Sequence, residues 1–321
     1  MKPIFHHRPV NGPFEDPAVY VRVLRERIAY LFDAGDIGRL AVRDLMKLGH
    51  VFITHMHIDH FIGFDMIVRA LLRREQPIVF YGPEGIIDRI EGRLWGYTWN
   101  LVSEYPLTVK VLEITEKGIS FATFRAGDMF RRSDVSIADH QSYLLDNEFL
   151  SVSAVILDHD IPVLGYSLKE KAHININKAK LRERGMSVGP WLGKLKESIR
   201  RQNYQNMIDS GKGSYLVSEL EDIYTVSEGQ KVSYIMDSAP SISNINKIVE
   251  FVDRADSLYI ESYFMHRDLE HAKDRKHLTA RISGEIARDA SVANLHLLHI
   301  SPRYKECSDD LYREAEESFR R

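Results

Sequence analysis

The stretch 54-THMHIDHFIGFD-65 places His55, His57, Asp59 and His60 within six positions, directly behind the apolar run 51-VFI-53. Three imidazoles and a carboxylate at one spot would repel as cations or lose solvation as neutral groups unless something binds them. On an extended strand end, His55 and His57 point the same way and can grip one ion. Asp59 and His60, on the turn just beyond, can grip a second. Cys307 is the only cysteine, which excludes both a thiolate site and an internal disulfide, so any metal must rest on His and Asp/Glu. Such donors suit zinc, with manganese or iron(II) as alternatives in either position. Two ions roughly 3.5–4 Å apart clamp the attacking and leaving oxygens of a displacement. The competing reading is a chance cluster, and four ligand-type side chains at this spacing argue against it.

Elements elsewhere must complete the site. Ligand-type residues recur at the C-terminal ends of apolar strand patterns: His159 after 151-SVSAVILD-158, Asp237 closing 232-VSYIMD-237, Glu261 in 257-SLYIES-262 and His299 in 294-NLHLLHI-300. His277 opens a helical pattern over 278–291. Loops from a packed sheet converge on one rim, where chemistry usually sits. Upstream, 18-AVYVRVL-24 and 28-IAYLFDAG-35 read as a hairpin, and 50-HVFIT-54, 78-IVFYG-82, 107-LTVKVLEI-114 and 163-VLGYSL-168 as strands. Helical spacing predicts helices over 39–49, 61–74, 83–95 and 241–255. Strands interleaved with helices predict an α/β sandwich, sheets inside and helices outside. His6, His7, His140, His173, His266 and His271 read as surface or supporting residues, and His50 and His296 as structural ones. The aromatic run 95-WGYTW-99 reads as core rather than as a base-stacking platform.

The 321 residues, 44% hydrophobic, can bury one large core or two modest ones. A net charge of −3 gives no global basic field for nucleic acid. No run approaches the roughly 18 apolar residues of a membrane span, and the N-terminal sequence has no signal-type pattern. The expectation is a cytoplasmic protein without membrane association.

The motif 54-THMHIDH-60 resembles the signature of the metallo-β-lactamase superfamily, whose fold is a four-layer αββα sandwich. Later motifs resemble its ribonuclease Z branch, the tRNA 3′-end endonucleases: 158-DHDIPVLGYSLKEK-171, 189-GPWLGKLK-196, 234-YIMDSAP-240, 260-IESYF-264, 277-HLT-279 and 299-HISPRY-304, over about residues 28–305. The resemblance implies one domain over 1–321 with a protruding basic arm inserted at about 169–212. It implies two Zn2+ ions, one on His55, His57 and His159, the other on Asp59, His60 and His299, with Asp237 bridging. Asp59 would orient or deprotonate the attacking water, His277 would protonate the leaving oxygen, and Glu261 would hold His277. Phosphodiester hydrolysis by in-line attack of metal-bound hydroxide follows, on precursor tRNA at its 3′ side, by a homodimer in which the arm of one subunit grips RNA cleaved by the other. Lys194, Lys196, Arg200, Arg201, Ser301 and Arg303 are the implied substrate-binding residues.

The chain also departs from that pattern. The opening strand and Gly-rich turn are replaced by 1-MKPIFHHRPVNGPFEDPAVYV-21, an extra stretch occupies 117–148, and Ser262-Tyr263 stands where the family has Ala-Thr after the glutamate. Residues 169–212 carry eleven Lys/Arg against four Asp/Glu, a composition that fits phosphate contacts or two solvated amphipathic helices. Alternatives are therefore a small-molecule phosphodiesterase or sulfatase-like esterase, which shares the metal site without needing the arm, and a non-catalytic RNA-binding relative.

Overall fold

The structure, a computed structural model, describes residues 5–24, 27–138 and 142–320. His140 lies outside them, as does the side chain of His173. The chain forms two compact units, one of residues 1–144, 152–168 and 231–321, the other of residues 145–151 and 169–230.

The first unit holds two sheets. The first has eight strands in sequence order: β1 (Phe5–Pro9), β2 (Val19–Val23), β3 (Ala29–Phe32), β4 (Leu48–Phe52), β5 (Ile78–Pro83), β6 (Thr108–Thr115), β7 (Gly118–Arg125) and β8 (Arg132–Ala138). Strands β3 to β6 run parallel, with antiparallel strands on either side. Four helices accompany this sheet: α1 (Val42–Leu45), α2 (Ile58–Phe61), α3 (Phe64–Leu71) and α4 (Ile86–Trp95). The second sheet has six strands, five of which, β10 (Leu150–Asp158), β11 (Pro162–Glu170), β16 (Lys231–Ile235), β17 (Ser257–Glu261) and β18 (Leu295–Leu298), run in the order β18-β17-β16-β11-β10. Its helices are α7 (Ile242–Val252), α8 (Leu269–Arg275), α9 (Ala280–Asp289) and α10 (Ser308–Arg320).

The sheets face each other across aromatic side chains. Phe32 stacks on Tyr234 (5.6 Å) and Phe52 packs on Tyr166 (5.3 Å). The Tyr166 hydroxyl donates to the Ile53 carbonyl at 2.8 Å, so the one polar atom at the centre of that contact is satisfied. One apolar cluster covers the outer face of the first sheet, built from residues such as Leu31, Val51, Phe64, Ile67 and Ile90. A second covers the other sheet through Ile248, Leu258, Ile260, Ile286 and Leu311. Helix, sheet, sheet and helix therefore stack as four layers, as expected.

Three elements differ from the sequence reading. The helix expected over 39–49 is the single turn α1, because β4 begins at Leu48 and takes Gly49 into the sheet. The helix expected over 61–74 is split into α2 and α3 by Ile62 and Gly63. The run 95–99 is not core: Trp95 is 69% and Tyr97 50% exposed, and only Trp99 packs inward, on Phe130. The extra stretch 117–148 supplies β7 and β8, which widen the first sheet.

The second unit contains β9 (Leu145–Asp146), β12 (His173–Ile176), β13 (Met207–Asp209), β14 (Ser214–Leu216), β15 (Tyr224–Ser227), α5 (Lys178–Glu183) and α6 (Trp191–Arg200). Strands β12 and β15 pair antiparallel, as do β13 and β14. Leu181, Trp191, Leu192, Leu195, Ile199 and Leu220 form its own core. Asn177 caps α5 through its side chain.

Candidate metal centre

Strand ends place the site residues. Register pairs Glu261 of β17 with Leu298 of β18, and Ile235 of β16 with Ile260 of β17. Asp237, Glu261 and His299 therefore leave three adjacent parallel strands side by side. Asp237 (φ 48°) and His299 (φ 51°) take the left-handed conformation just past their strands, which Asp and His tolerate better than branched residues. On the first sheet, β4 ends at Phe52, and the chain turns through Thr54 and His55 into α2, which carries Asp59 and His60.

These groups converge. His55 Nε2, His60 Nε2 and His159 Nε2 lie 3.4, 3.5 and 3.7 Å from Asp237 Oδ2. His299 Nε2 is 3.1 Å and His60 Nε2 3.6 Å from Asp59 Oδ2. Ligand atoms of His55, His57, His159 and Asp237 lie mutually within 4.8 Å, as do those of Asp59, His60 and His299. His277 sits beside them, its Nδ1 2.8 Å from Glu261 Oε2, and its ring close to those of His159 and His299.

The surroundings aim the imidazoles. His60 Nδ1 donates to Asp33 Oδ2 (2.8 Å), and His159 Nδ1 to the Lys276 carbonyl (2.7 Å). His55 Nδ1 is 3.1 Å from Thr54 Oγ1. Each contact occupies Nδ1 and leaves Nε2 for the centre, the arrangement that orients a metal-binding histidine. Asp33 is fully buried and also accepts from the Thr54 amide, the Thr54 hydroxyl and the Tyr234 hydroxyl. Asn244, buried at the start of α7, donates to the carbonyls of Asp158 and Ala239 and so ties the His159 strand to the Asp237 turn. Sequence reading missed both. Asp33 had the available signal, a carboxylate closing an apolar strand at 28-IAYLFDAG-35, whereas nothing in its own neighbourhood marks Asn244.

The donor set fits a metal. His55 Nε2 and His60 Nε2 are buried with no hydrogen-bond partner, and His299 Nδ1 and Asp237 Oδ1, also buried, have only each other, 2.9 Å apart in poor hydrogen-bond geometry, a costly state that ligation relieves. Burial pushes the His60 pKa down, but Asp237 and Asp33 outweigh it and hold it up at about 10. His299 is likewise raised well above the ordinary histidine range, burial being overcome by Asp237 and Asp59. Burial, reinforced by His60, pushes His55 well down. Asp33, Asp59 and Asp237 thus keep protons on the centre that a cation would displace.

The other expected site residues are placed as follows. Ser301 is buried, with its amide donating to the Tyr263 carbonyl at 3.2 Å. Arg303 is exposed, its guanidinium over the Phe264 ring at 5.4 Å. Lys194, Lys196 and Arg200 lie on α6 and Arg201 caps it, all in the second unit. Arg201 pairs with Glu197 at 2.7 Å.

Two facing sheets flanked by helices, with a His/Asp cluster at the strand ends able to hold metal, define a metal-dependent hydrolase of the metallo-β-lactamase fold. The metallo-β-lactamase fold protein YhfI from Bacillus subtilis superposes with a TM-score of 0.56 at 15% identity, covering 98% of this chain and 92% of that one. The short form of human tRNase Z superposes with a TM-score of 0.53 at 22% identity, over 90% and 87% of the two chains. Both show the fold. Ribonuclease Z from Enterococcus faecalis is 30% identical over 326 residues, spanning 98% of this chain and 88% of that protein. The chain belongs to the ribonuclease Z family, and it is an endoribonuclease-type hydrolase. No family model matches it.

Proposed function

We propose that the cluster holds two Zn2+ ions, with His55, His57 and His159 on one, Asp59, His60 and His299 on the other, and Asp237 between them. What supports this is the convergence of buried ligand atoms that the protein itself leaves poorly satisfied, His55 Nε2 and His60 Nε2 above all. Bound there, the ions supply charge for a developing oxyanion and lower the pKa of a water towards about 7. Asp59, beside His299 and partly exposed, orients that water and takes its proton. Glu261 fixes Nδ1 of His277, so Nε2 is the nitrogen left to deliver a proton to the departing oxygen. Ser301 shapes the rim through its backbone, and the exposed Arg303 is a phosphate partner.

The substrate in this reading is precursor tRNA at its 3′ side, and the enzyme is cytoplasmic. The chain acts as one metallo-β-lactamase-fold domain with an arm inserted at about 169–212. Lys194, Lys196 and Arg200, which have no carboxylate partner among the described residues, are the arm's phosphate contacts, with Arg201 shared with Glu197. A homodimer is supported by an exposed apolar set beside the centre: Ile58, 71% exposed, with Ile62, Met66 and Tyr97.

One observation favours a small phosphodiester instead. The eleven Lys/Arg of 169–212 are diluted in the second unit as a whole (145–151 and 169–230), which carries ten Asp/Glu. Parallel assays on a 3′-extended precursor tRNA and on a chromogenic phosphodiester separate the readings. Endonucleolytic cleavage of the precursor at its 3′ side is the expected result; turnover of the chromogenic ester alone would overturn the tRNA assignment and leave the metal centre standing.

A further inference from the structure

Tyr263 stands out among the side chains around His277. It follows Glu261 by two residues, past the end of β17, where the resemblance to ribonuclease Z sets Thr. Its ring lies parallel to the His277 imidazole, 4.3 Å between centroids and 13° between planes. It also leans on His299 (5.2 Å, 52°) and meets Phe264 edge-on (5.0 Å, 61°). The Tyr263 carbonyl accepts from the Ser301 amide, which fastens this segment to the loop that follows His299.

The His277 imidazole has one hydrogen bond holding it, from Nδ1 to Glu261. A single bond at one ring atom fixes where that atom sits, and the neighbouring His159 and His299 rings meet the imidazole at 62° and 49°, so neither lies flat against its plane to stop it rocking. Proton delivery from Nε2 depends on that plane, since the donor must stay within hydrogen-bond reach of the leaving oxygen. A flat aromatic surface stacked against the ring removes the rocking motion, and a threonine at the same place would not.

We infer that Tyr263 is a positioning residue for His277, and that its ring, not its hydroxyl, does the positioning. This rests on the proposed role of His277 as proton donor to the leaving oxygen. It does not depend on the substrate being tRNA.

The test uses full-length, metal-loaded protein and two small phosphodiesters of matched size. One has a nitrophenolate leaving group, which departs without a proton, and the other an alkoxide leaving group, which needs one. Tyr263→Thr should lower kcat on the alkyl ester by about 10- to 100-fold, part of the 10²–10⁴ a positioned acid contributes. KM should stay within about threefold, and the aryl ester should lose much less. Tyr263→Phe should restore the alkyl rate. In the His277→Ala background, Tyr263→Thr should cost nothing further on the alkyl ester, because the group it positions is gone. Metal content measured on each variant shows whether the centre is intact.

Equal losses on both esters, or loss of metal in Tyr263→Thr, would make the residue structural and overturn the inference. So would a Tyr263→Phe variant as impaired as Tyr263→Thr, or an unchanged alkyl rate in Tyr263→Thr. If His277→Ala itself shows no dependence on leaving group, the proton-donor role falls, and this inference with it. Failure of the wild-type enzyme to cut precursor tRNA would touch only the substrate assignment.

Discussion

The carboxylate of Asp237 lies within 3.7 Å of four imidazoles, those of His55, His60, His159 and His299, which come from two different sheets. One side chain in contact with both halves of a centre should be needed by both. Asp237→Ala is expected to lose both ions, read by elemental analysis of the folded, freshly purified protein; a variant that keeps two ions would remove the bridging role. His277 touches the centre without completing it, so His277→Ala should retain metal while turnover of poor-leaving-group substrates drops about 10²–10⁴-fold. Glu261→Gln, which keeps a hydrogen bond but not a charge, should cost less. The residues whose own side chains face the shared space were legible in sequence because ligand types stand out at strand ends. Thr54 and Asn244 were not, because a supporting side chain is defined by what it touches across the fold; Asp33 carried a signal, a carboxylate closing an apolar strand, that went unread. Asn244 acts on residue 158, 86 positions away, and no local pattern encodes such a pairing.

At the scale of elements, alternation and apolar runs marked β2 to β6, β10, β11 and β16 to β18, but β1, β7 to β9 and β12 to β15 went unread. What also failed was the reading of helices near the site. The helix expected over 61–74 breaks because its turn packs backbone to backbone on the loop after β3. A Cβ on Gly63 would lie 2.6 Å from the Gly35 carbonyl oxygen, and one on Gly35 would lie 2.4 Å from that of Asp59. Gly63→Ala should therefore push α2 off that loop and destabilise the protein by about 1–3 kcal/mol; a thermal midpoint equal to wild type would show that the segment yields freely. In β4, His50 hydrogen-bonds the Tyr81 hydroxyl and stacks on Tyr30. Burial, aided by Arg74, lowers its pKa to about 4. The unfolded chain then binds the extra proton first, so stability linked to His50 is present above pH 6.5 and is lost as pH falls towards 4. His50→Gln should flatten that acid-side loss in denaturant titrations at pH 7 and pH 5. An unchanged pH slope would show that other groups cause it.

For the whole molecule, the second unit has its own core and a capped helix, and the His/Asp cluster able to hold metal belongs to the first. Replacing residues 169–230 by a short linker should therefore spare metal binding and aryl ester hydrolysis while RNA cleavage weakens greatly. Parallel loss of both activities would make the unit part of the scaffold. Neutralising Lys194, Lys196 and Arg200 should flatten the salt dependence of RNA binding by up to about 0.7–0.9 log units per lost phosphate contact. If the exposed apolar set at Ile62 and Met66 mediates pairing of two copies, Ile62→Glu/Met66→Glu should sediment as monomer; a wild-type protein that is already monomeric would dismiss the dimer. The unit boundaries were only partly legible, because the basic run that marks 169–212 ends well before the fold does, and the acidic residues that complete the unit come later in the chain. The aromatic side chains joining the two sheets, and the pairing of Asp59 with His299 across 240 positions, have a further implication for biosynthesis. Neither side of the centre can be assembled from a nearby piece of chain, so folding depends on slow, long-range closure. During synthesis at about 5–20 residues per second, a nascent chain would carry the first four ligand side chains for tens of seconds before the last one was added. The nuclease would be born unarmed, and loading with metal would be among the last events of its maturation.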